Sequence, residues 1–250
     1  MNRSFRQLLR AQKPLIGTFL SLASPEAAEI IALSGVDWIF MDMEHGAFGI
    51  LEVQRLLQAA GNCPAVVRVP SHDEVWIKKV MDTGPDGVLI PHVNTPEQTR
   101  RIIRCCKYPP LGQRDVGIAR AQGYGATFQN YIENANDQMA VIIQIEHIDG
   151  VRNIDEIVRI PGVDAVFIGP YDLSGSMNKP GQVRDAEVET AVETVRQSAA
   201  DAGLPVGIFG VNADAVRSRI AEGYTLIACG IDAMLLGEAV SSMVKSLKST

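Results

Sequence analysis

The segment Met139–Ser176, MAVIIQIEHIDGVRNIDEIVRIPGVDAVFIGPYDLSGS, predicts the fold of this chain. Its apolar runs, Met139–Ile145 and Val163–Ile168, have the length of buried strands, and the residues from Gly150 to Ile160 carry apolar side chains at helical spacing. We therefore expect a strand, a helix and a second strand, which is one βαβ unit. The strands of such a unit are parallel, so the polar residues that follow them emerge at the same edge of the sheet.

The same alternation runs through the rest of the chain and predicts eight βα units. The other predicted strands are Pro14–Leu20, Val36–Met41, Pro64–Pro70, Gly87–Ile90, Pro205–Phe209 and Thr225–Ala228. Eight such units in 250 residues favour an α/β protein with a (β/α)8 TIM barrel as its single domain, residues 1–250. A doubly wound sheet is the alternative, but it expects a glycine-rich turn after its first strand, and Thr18-Phe-Leu-Ser-Leu is not one.

One long segment interrupts the alternation. Residues Tyr108–Asp137 mix Pro, Gly and Arg without clear periodicity until a predicted helix near Thr127–Asn134. Loops of this length in a compact domain are usually functional. We therefore predict that Tyr108–Tyr124 covers the mouth of the barrel.

Composition narrows the classes of function. A hydrophobic fraction of 46% with 21% charged residues is typical of a globular protein. The net charge of −6, without a Lys/Arg cluster, argues against a nucleic-acid partner. No apolar run has the length of a membrane span or a signal peptide, so we expect a cytoplasmic protein without a membrane partner. The cysteines lack metal-type spacing and are predicted to be reduced thiols: Cys63, Cys105, Cys106 and Cys229.

A barrel gathers its functional residues at the carboxyl ends of its strands, and here these would be His45, Arg68, Gln144, Glu146 and Asp172. Two carboxylates on neighbouring strands need a positive partner, and a divalent cation is the simplest one. On spacing alone, two unrelated solvated acids are the alternative. The whole set suits a substrate with a carboxylate beside a carbonyl, because Arg68 can stabilise the developing enolate and His45 can move protons near neutral pH.

Five motifs, in this order, resemble the signatures of the HpcH/HpaI aldolases, which are class II pyruvate-dependent aldolases: Asp42-Met-Glu-His-Gly46, Val67-Arg-Val-Pro70, Tyr108-Pro-Pro-Leu-Gly-Gln-Arg114, Gln144-Ile-Glu146 and Phe167-Ile-Gly-Pro-Tyr-Asp-Leu-Ser174. The resemblance runs from about Leu15 to the C-terminus. It implies a carbon–carbon lyase that reversibly cleaves 4-hydroxy-2-oxo acids to pyruvate, or a related 2-oxo acid, and an aldehyde. It also implies a divalent cofactor, Mg²⁺, Mn²⁺ or Co²⁺, and a metal-bound enolate.

The resemblance assigns the metal and the proton transfer to four residues. Glu146 and Asp172 would bind the metal ion. His45 would act as the catalytic acid and base, and Asp82 would pair with it and raise its basicity.

The resemblance further assigns the contacts with the substrate. Arg68 would stabilise the enolate oxygen, Gln144 would contact the substrate, and the backbone amides of Tyr171 and Asp172 would hold the pyruvate carboxylate. The family also implies a homo-oligomer, a hexamer built as a trimer of dimers, in which the C-terminal helix packs on a neighbouring subunit.

Several points stay open at this stage. Asp115 stands where the family commonly has Gly, and we predict that its carboxylate disfavours aldehydes with a distal negative charge. An oxaloacetate decarboxylase or enolate-trapping lyase on the same barrel is an alternative function, and a metabolite-binding barrel without catalysis is another. We assign no role to His92, and we take Glu44 for a solvated acid or an outer support of the site.

Overall fold

The structure is a computed structural model that describes residues 4–249. Eight parallel strands close into a barrel in sequence order, because β1 pairs with both β2 and β8. This confirms the predicted (β/α)8 barrel. The strands are β1 (Leu15–Leu20), β2 (Trp38–Asp42), β3 (Ala65–Arg68), β4 (Gly87–Ile90), β5 (Ala140–Ile145), β6 (Ala165–Ile168), β7 (Val206–Gly210) and β8 (Leu226–Ile231).

Helices surround the barrel and connect its strands. Two of them begin as their sequences predict, with the side chain of Ser24 or Thr95 capping a helix whose first residue is proline. No helix within residues 4–249 is both long and apolar enough to cross a membrane. The helices are α1 (Phe5–Arg10), α2 (Pro25–Leu33), α3 (Ile50–Ala59), α4 (Glu74–Asp82), α5 (Pro96–Cys106), α6 (Phe128–Gln138), α7 (Ile148–Arg152), α8 (Ile154–Ile157), α9 (Pro170–Ser176), α10 (Ala186–Asp201), α11 (Ala213–Ala221) and α12 (Asp232–Lys248).

Two apolar cores hold the barrel together. The larger core lies between the strands and the surrounding helices. The smaller one fills the barrel interior, where Trp38 and Phe40 of β2 are completely buried. Phe5 and Leu9 of α1 belong to this inner core and enter it from the amino ends of the strands, so α1 closes that end of the barrel.

The long segment Tyr108–Tyr124 does not cover the mouth of its own barrel, so that prediction is wrong. The side chain of Arg120 donates hydrogen bonds to the carbonyl oxygens of Thr83 (2.6 Å) and Gly84 (3.2 Å), which precede β4. The segment therefore packs at the amino ends of the strands. The physical reason is topological, because a connection from a helix to the next strand starts and finishes at that end of a barrel.

The same geometry separates Asp115 from the mouth of its own barrel, and its effect on substrate choice stays a prediction. Asp115 is exposed, and one of its carboxylate oxygens lies 2.5 Å from Nζ of Lys78, on the outside of α4. Within one chain, Asp115 cannot face an aldehyde at the opposite end of the barrel.

Candidate active site

A cavity of about 380 Å³ opens at the carboxyl ends of the strands. Five of the predicted site residues line it: His45, Arg68, Gln144, Tyr171 and Asp172. They come from four different strands or from the turns that follow them. The structure thus assembles residues distant in sequence at one mouth, as the barrel topology predicts.

The Arg68 guanidinium is the most firmly held group at this mouth. Arg68 ends β3 directly opposite Asp42, which ends β2. Arg68 Nε and Nη2 donate to the two carboxylate oxygens of Asp42, at 2.8 and 2.7 Å. Arg68 Nη1 lies 3.1 Å from Oε2 of Glu44 and donates to Gln144 Oε1 at 3.4 Å. Such bidentate pairing keeps a buried cation in one orientation, and here it faces the cavity.

A second group of side chains is arranged as a metal ligand set would be. One ligand atom each from Glu44, His92 and Glu146 lies within 4.8 Å of the others. His92 Nε2 is 2.8 Å from Glu44 Oε1, and its Nδ1 is 3.3 Å from Glu146 Oε1. Carboxylate oxygens are ligands for Mg²⁺ and Mn²⁺, and an imidazole nitrogen also suits Co²⁺.

The surroundings of Glu44 support this interpretation. Its side chain is 8% exposed, and burial is the main cause that raises the pKa of its carboxyl group. Among the described residues, its Oε2 accepts no hydrogen bond, although the Arg68 guanidinium lies beside it. A buried carboxylate facing Glu146 is stabilised by a cation placed between them, so these residues fit a divalent ion.

Sequence reasoning missed Glu44 and His92. His92 follows β4 and has a φ of 56°, a left-handed conformation that is unusual for a residue with a side chain. This conformation lets its backbone N–H donate to Glu146 Oε1 at 2.7 Å. Their positions in the sequence could have identified them as site residues, because both come just after strands that end at this mouth.

Gln144 connects the two groups. Its amide oxygen accepts from Arg68, and its amide nitrogen donates to Glu146 Oε2. Gly169, at the end of the neighbouring strand, leaves the space that Glu146 occupies, since a Cβ there would lie 3.0 Å from the Glu146 side chain. Gln144 and Glu146 are both almost completely buried, so their orientation is fixed by these contacts.

Tyr171 and Asp172 lie in the first turn of α9, at the rim of the cavity, and both are exposed. The backbone amides of a first helical turn have no acceptor within the helix. Their assigned contact with a substrate carboxylate stays a prediction, as does the metal contact of Asp172, which is not part of the Glu44, His92 and Glu146 cluster.

The structure does not bring His45 and Asp82 of one chain together. The His45 imidazole is mostly exposed, and its Nε2 lies 4.0 Å from Glu44 Oε2. Asp82 ends α4 at the opposite end of the barrel, where Arg114 Nη2 donates to it at 2.8 Å. Gly46 is required by the turn that carries His45, because a Cβ there would lie 2.1 Å from the Asp42 carbonyl oxygen.

Comparison with known proteins identifies the family of this chain. The family model for HpcH/HpaI aldolase/citrate lyase matches residues 15–239. The chain belongs to this family. As a member of the HpcH/HpaI family it is a carbon–carbon lyase, so the resemblance seen in its motifs and the predicted class of enzyme are confirmed.

Individual HpcH/HpaI family members are similar over nearly the whole chain. A hydroxypyruvate/pyruvate aldolase from Deinococcus radiodurans is 37% identical, over 99% of this chain and 91% of the relative. A 4-hydroxy-2-oxo-heptane-1,7-dioate aldolase from Shigella flexneri is 36% identical, over 97% of this chain and 92% of the relative. The crystal structure of a family protein from Burkholderia cenocepacia superposes with a TM-score of 0.95 at 35% identity, covering 99% of this chain and 100% of the other.

Proposed function

We propose that this protein is a divalent-metal-dependent aldolase that reversibly cleaves 4-hydroxy-2-oxo acids to pyruvate, or a related 2-oxo acid, and an aldehyde. The observation that carries the proposal is the cluster of Glu44, His92 and Glu146 beside the fixed guanidinium of Arg68. The aldolase names of the relatives from Deinococcus and Shigella support the same reaction class.

The metal would be Mg²⁺, Mn²⁺ or Co²⁺, with Glu146 as its central protein ligand. Glu44 and His92 stand close enough to share it, and Asp172, after the neighbouring strand, is the second carboxylate assigned by the family resemblance. When bound, the ion supplies positive charge to the oxygens of the 2-oxo acid.

The chain's own residues would perform the remaining steps. In cleavage, His45 accepts the proton of the C4 hydroxyl group while the C3–C4 bond breaks, which releases the aldehyde. The electron pair of that bond passes to the 2-oxo acid as an enolate, whose negative charge the Arg68 guanidinium stabilises. Gln144 orients the substrate, and the amides of Tyr171 and Asp172 bind its carboxylate. Return of that proton from His45 to C3 of the enolate then gives the free 2-oxo acid and restores the neutral imidazole.

We further propose that the barrel is one domain and forms a homo-oligomer, a hexamer arranged as a trimer of dimers. Helix α12 exposes Leu235, Leu236, Val240 and Met243, and an apolar groove of about 510 Å³ lies between α12 and α2. Contiguous exposed apolar surface of this kind marks protein interfaces. An orienting role for Asp82 would depend on such an assembly, since Asp82 and His45 lie at opposite ends of one barrel.

The cysteines agree with a cytoplasmic location, which is part of the same proposal. All four are free thiols, including the adjacent pair Cys105 and Cys106. Burial raises the pKa of the Cys106 thiol to about 12 and that of Cys63 to about 11. Free cysteines are typical of proteins from a reducing compartment, where disulfides are rare.

The test is to incubate the purified protein with Mg²⁺, Mn²⁺ or Co²⁺, pyruvate and several aldehydes, and to assay oxaloacetate decarboxylation in parallel. Aldol product supports the proposal. Decarboxylation without aldol product would indicate the decarboxylase alternative, and the absence of both reactions would indicate a binding protein.

A second experiment tests the metal. Glu146→Gln removes an anionic ligand, so the activity of this variant should collapse and recover partly at higher Mn²⁺ or Co²⁺. Full activity of this variant in EDTA would contradict metal dependence.

A further inference from the structure

The mouth of the barrel is divided into two halves of different chemistry. Strands β2 to β5 carry its charged groups at their carboxyl ends, and these are Asp42, Glu44, Arg68, His92 and Glu146. The groups that the proposed function assigns to the 2-oxo acid and its metal all belong to this half, except for those of α9. His45, after β2, also contacts the reacting end of the aldehyde in the proposed function, so only the aldehyde's substituent is left to the other half.

The other half, formed by β6, β7, β8 and β1, is apolar and largely aromatic. Its cavity-lining side chains include Phe19, Tyr171, Phe209 and Ile231. The Phe209 ring packs edge-on against Phe19, with 4.9 Å between centroids, and lies 6.2 Å from the Tyr171 ring. Together Phe19, Phe209 and Tyr171 form a continuous aromatic wall that reaches from the barrel interior to the rim.

The cavity offers no spare cation to a second carboxylate. Among the described residues that line it, Arg68 is the only Lys or Arg, and its three nitrogens already face Asp42, Glu44 and Gln144. The apolar half adds no positive charge, because Ser21 is bound to the Asp232 carboxylate, Asp172 is itself an acid and Tyr171 carries only a neutral hydroxyl group. Arg184 and Arg219 line a neighbouring cavity beside Tyr171 and Phe209, but both are paired with Glu189. A negative charge brought to the aromatic wall would therefore lose hydration and gain no unpaired cation.

We propose that the acceptor aldehyde of this enzyme carries an apolar or aromatic substituent, which packs against the aromatic wall of Phe19, Phe209 and Tyr171. This rests on the proposed aldolase function. Burial of a substituent of three or four carbon atoms favours the apolar aldehyde about tenfold or more, because each methylene in an apolar pocket changes a specificity constant severalfold or more. A distal carboxylate on the same carbon skeleton lowers the specificity constant, because the cavity offers it no unpaired cation.

The experiment compares kcat/KM for isovaleraldehyde and succinic semialdehyde, with saturating pyruvate and Mn²⁺. We expect the wild type to prefer isovaleraldehyde at least about tenfold. Phe209→Ala and Tyr171→Ala should lower this ratio, and Phe209→Arg, which brings a cation to the wall, should shift the ratio toward succinic semialdehyde. Tyr171 is 42% exposed, so its variant removes wall surface without opening the core.

The control is Leu51→Ala, which removes an exposed apolar side chain of α3 that does not line the cavity, and it should leave the ratio unchanged. A wild-type preference for succinic semialdehyde, or a ratio that neither wall variant moves, would overturn the inference while the aldolase function stands. Absence of aldol product with every aldehyde would overturn the proposed function itself.

Discussion

Replacing Asp42 by Asn tests whether the paired Arg68 guanidinium contributes both to the stability of the fold and to catalysis. The asparagine keeps one oxygen, which can still accept from Arg68 Nε and from the backbone N–H of Glu44, now 3.0 Å from Asp42 Oδ1. Its amide nitrogen, however, replaces the oxygen that lies 2.7 Å from Arg68 Nη2, so two donors face each other. The buried guanidinium also loses its closest negative charge.

The expected cost follows from that contact. Breaking a buried ion pair by removing one partner typically costs about 3–5 kcal/mol, and the carboxylate of Glu44, 3.1 Å from Arg68 Nη1, remains, so we expect about 2–3 kcal/mol. This corresponds to a decrease of about 1 M in the urea midpoint. Misplacement of a positioning cation by about 1 Å also costs on the order of 10²-fold in rate, so kcat/KM for aldol cleavage should fall by roughly that factor.

The assay is urea unfolding at fixed protein concentration, followed by the fluorescence of the two tryptophans, of which Trp38 is fully buried, together with steady-state kinetics. The matched control is Asp164→Asn. Asp164 Oδ1 lies 2.5 Å from Nε of the buried Arg6, at the amino ends of the strands. The control should lose a similar amount of stability and retain wild-type kinetics. Equal rate losses in the two variants, or an unchanged urea midpoint for Asp42→Asn, would refute the reasoning.

Three further predictions concern single residues. His92→Asn removes a nitrogen ligand and should weaken Co²⁺ binding more than Mg²⁺ binding in calorimetric titrations, because Mg²⁺ prefers oxygen ligands; equal losses would count against imidazole ligation. Gly46→Ala forces the turn before it to move, since the new Cβ would lie 2.1 Å from the Asp42 carbonyl oxygen, and we expect kcat to fall about tenfold or more through misplacement of His45. Burial raises the pKa of the Cys106 thiol to about 12, so this thiol should resist an aromatic disulfide reagent at pH 8 in the folded protein and react with it in urea. Mass spectrometry of peptides measures the labelling, and rapid labelling of the native thiol would contradict its burial.

The barrel could be predicted because each strand and helix carries its own signal. Apolar runs such as Ala140–Ile145 have the composition of buried parallel strands, and Ser24 and Thr95 mark helix starts through local hydrogen bonds. Once the barrel is inferred, the strand-end rule places Arg68 and Gln144 at one mouth. These features depend on short-range sequence patterns, and the structure confirms them.

Other features depend on details that spacing does not contain. The contact between His92 and Glu146 requires a left-handed residue after Pro91, and no residue type before it demands that conformation. The position of Tyr108–Tyr124 was predictable and was predicted wrongly. Its length suggested a lid, but its place between α5 and β5 already assigned it to the amino ends of the strands.

Helix α1 closes the barrel at the amino ends of its strands, so the cavity is open only at the carboxyl ends. Phe5 and Leu9 seal the lower end, so both reactants of aldol synthesis must pass the rim where Tyr171 stands. The groups proposed for the 2-oxo acid, Arg68 and Gln144, are buried deeper than that rim. We expect the 2-oxo acid to bind first and dissociate last, because an aldehyde bound at the rim would block access to Arg68 and Gln144. We therefore expect ordered sequential kinetics, in which excess aldehyde inhibits synthesis competitively against pyruvate.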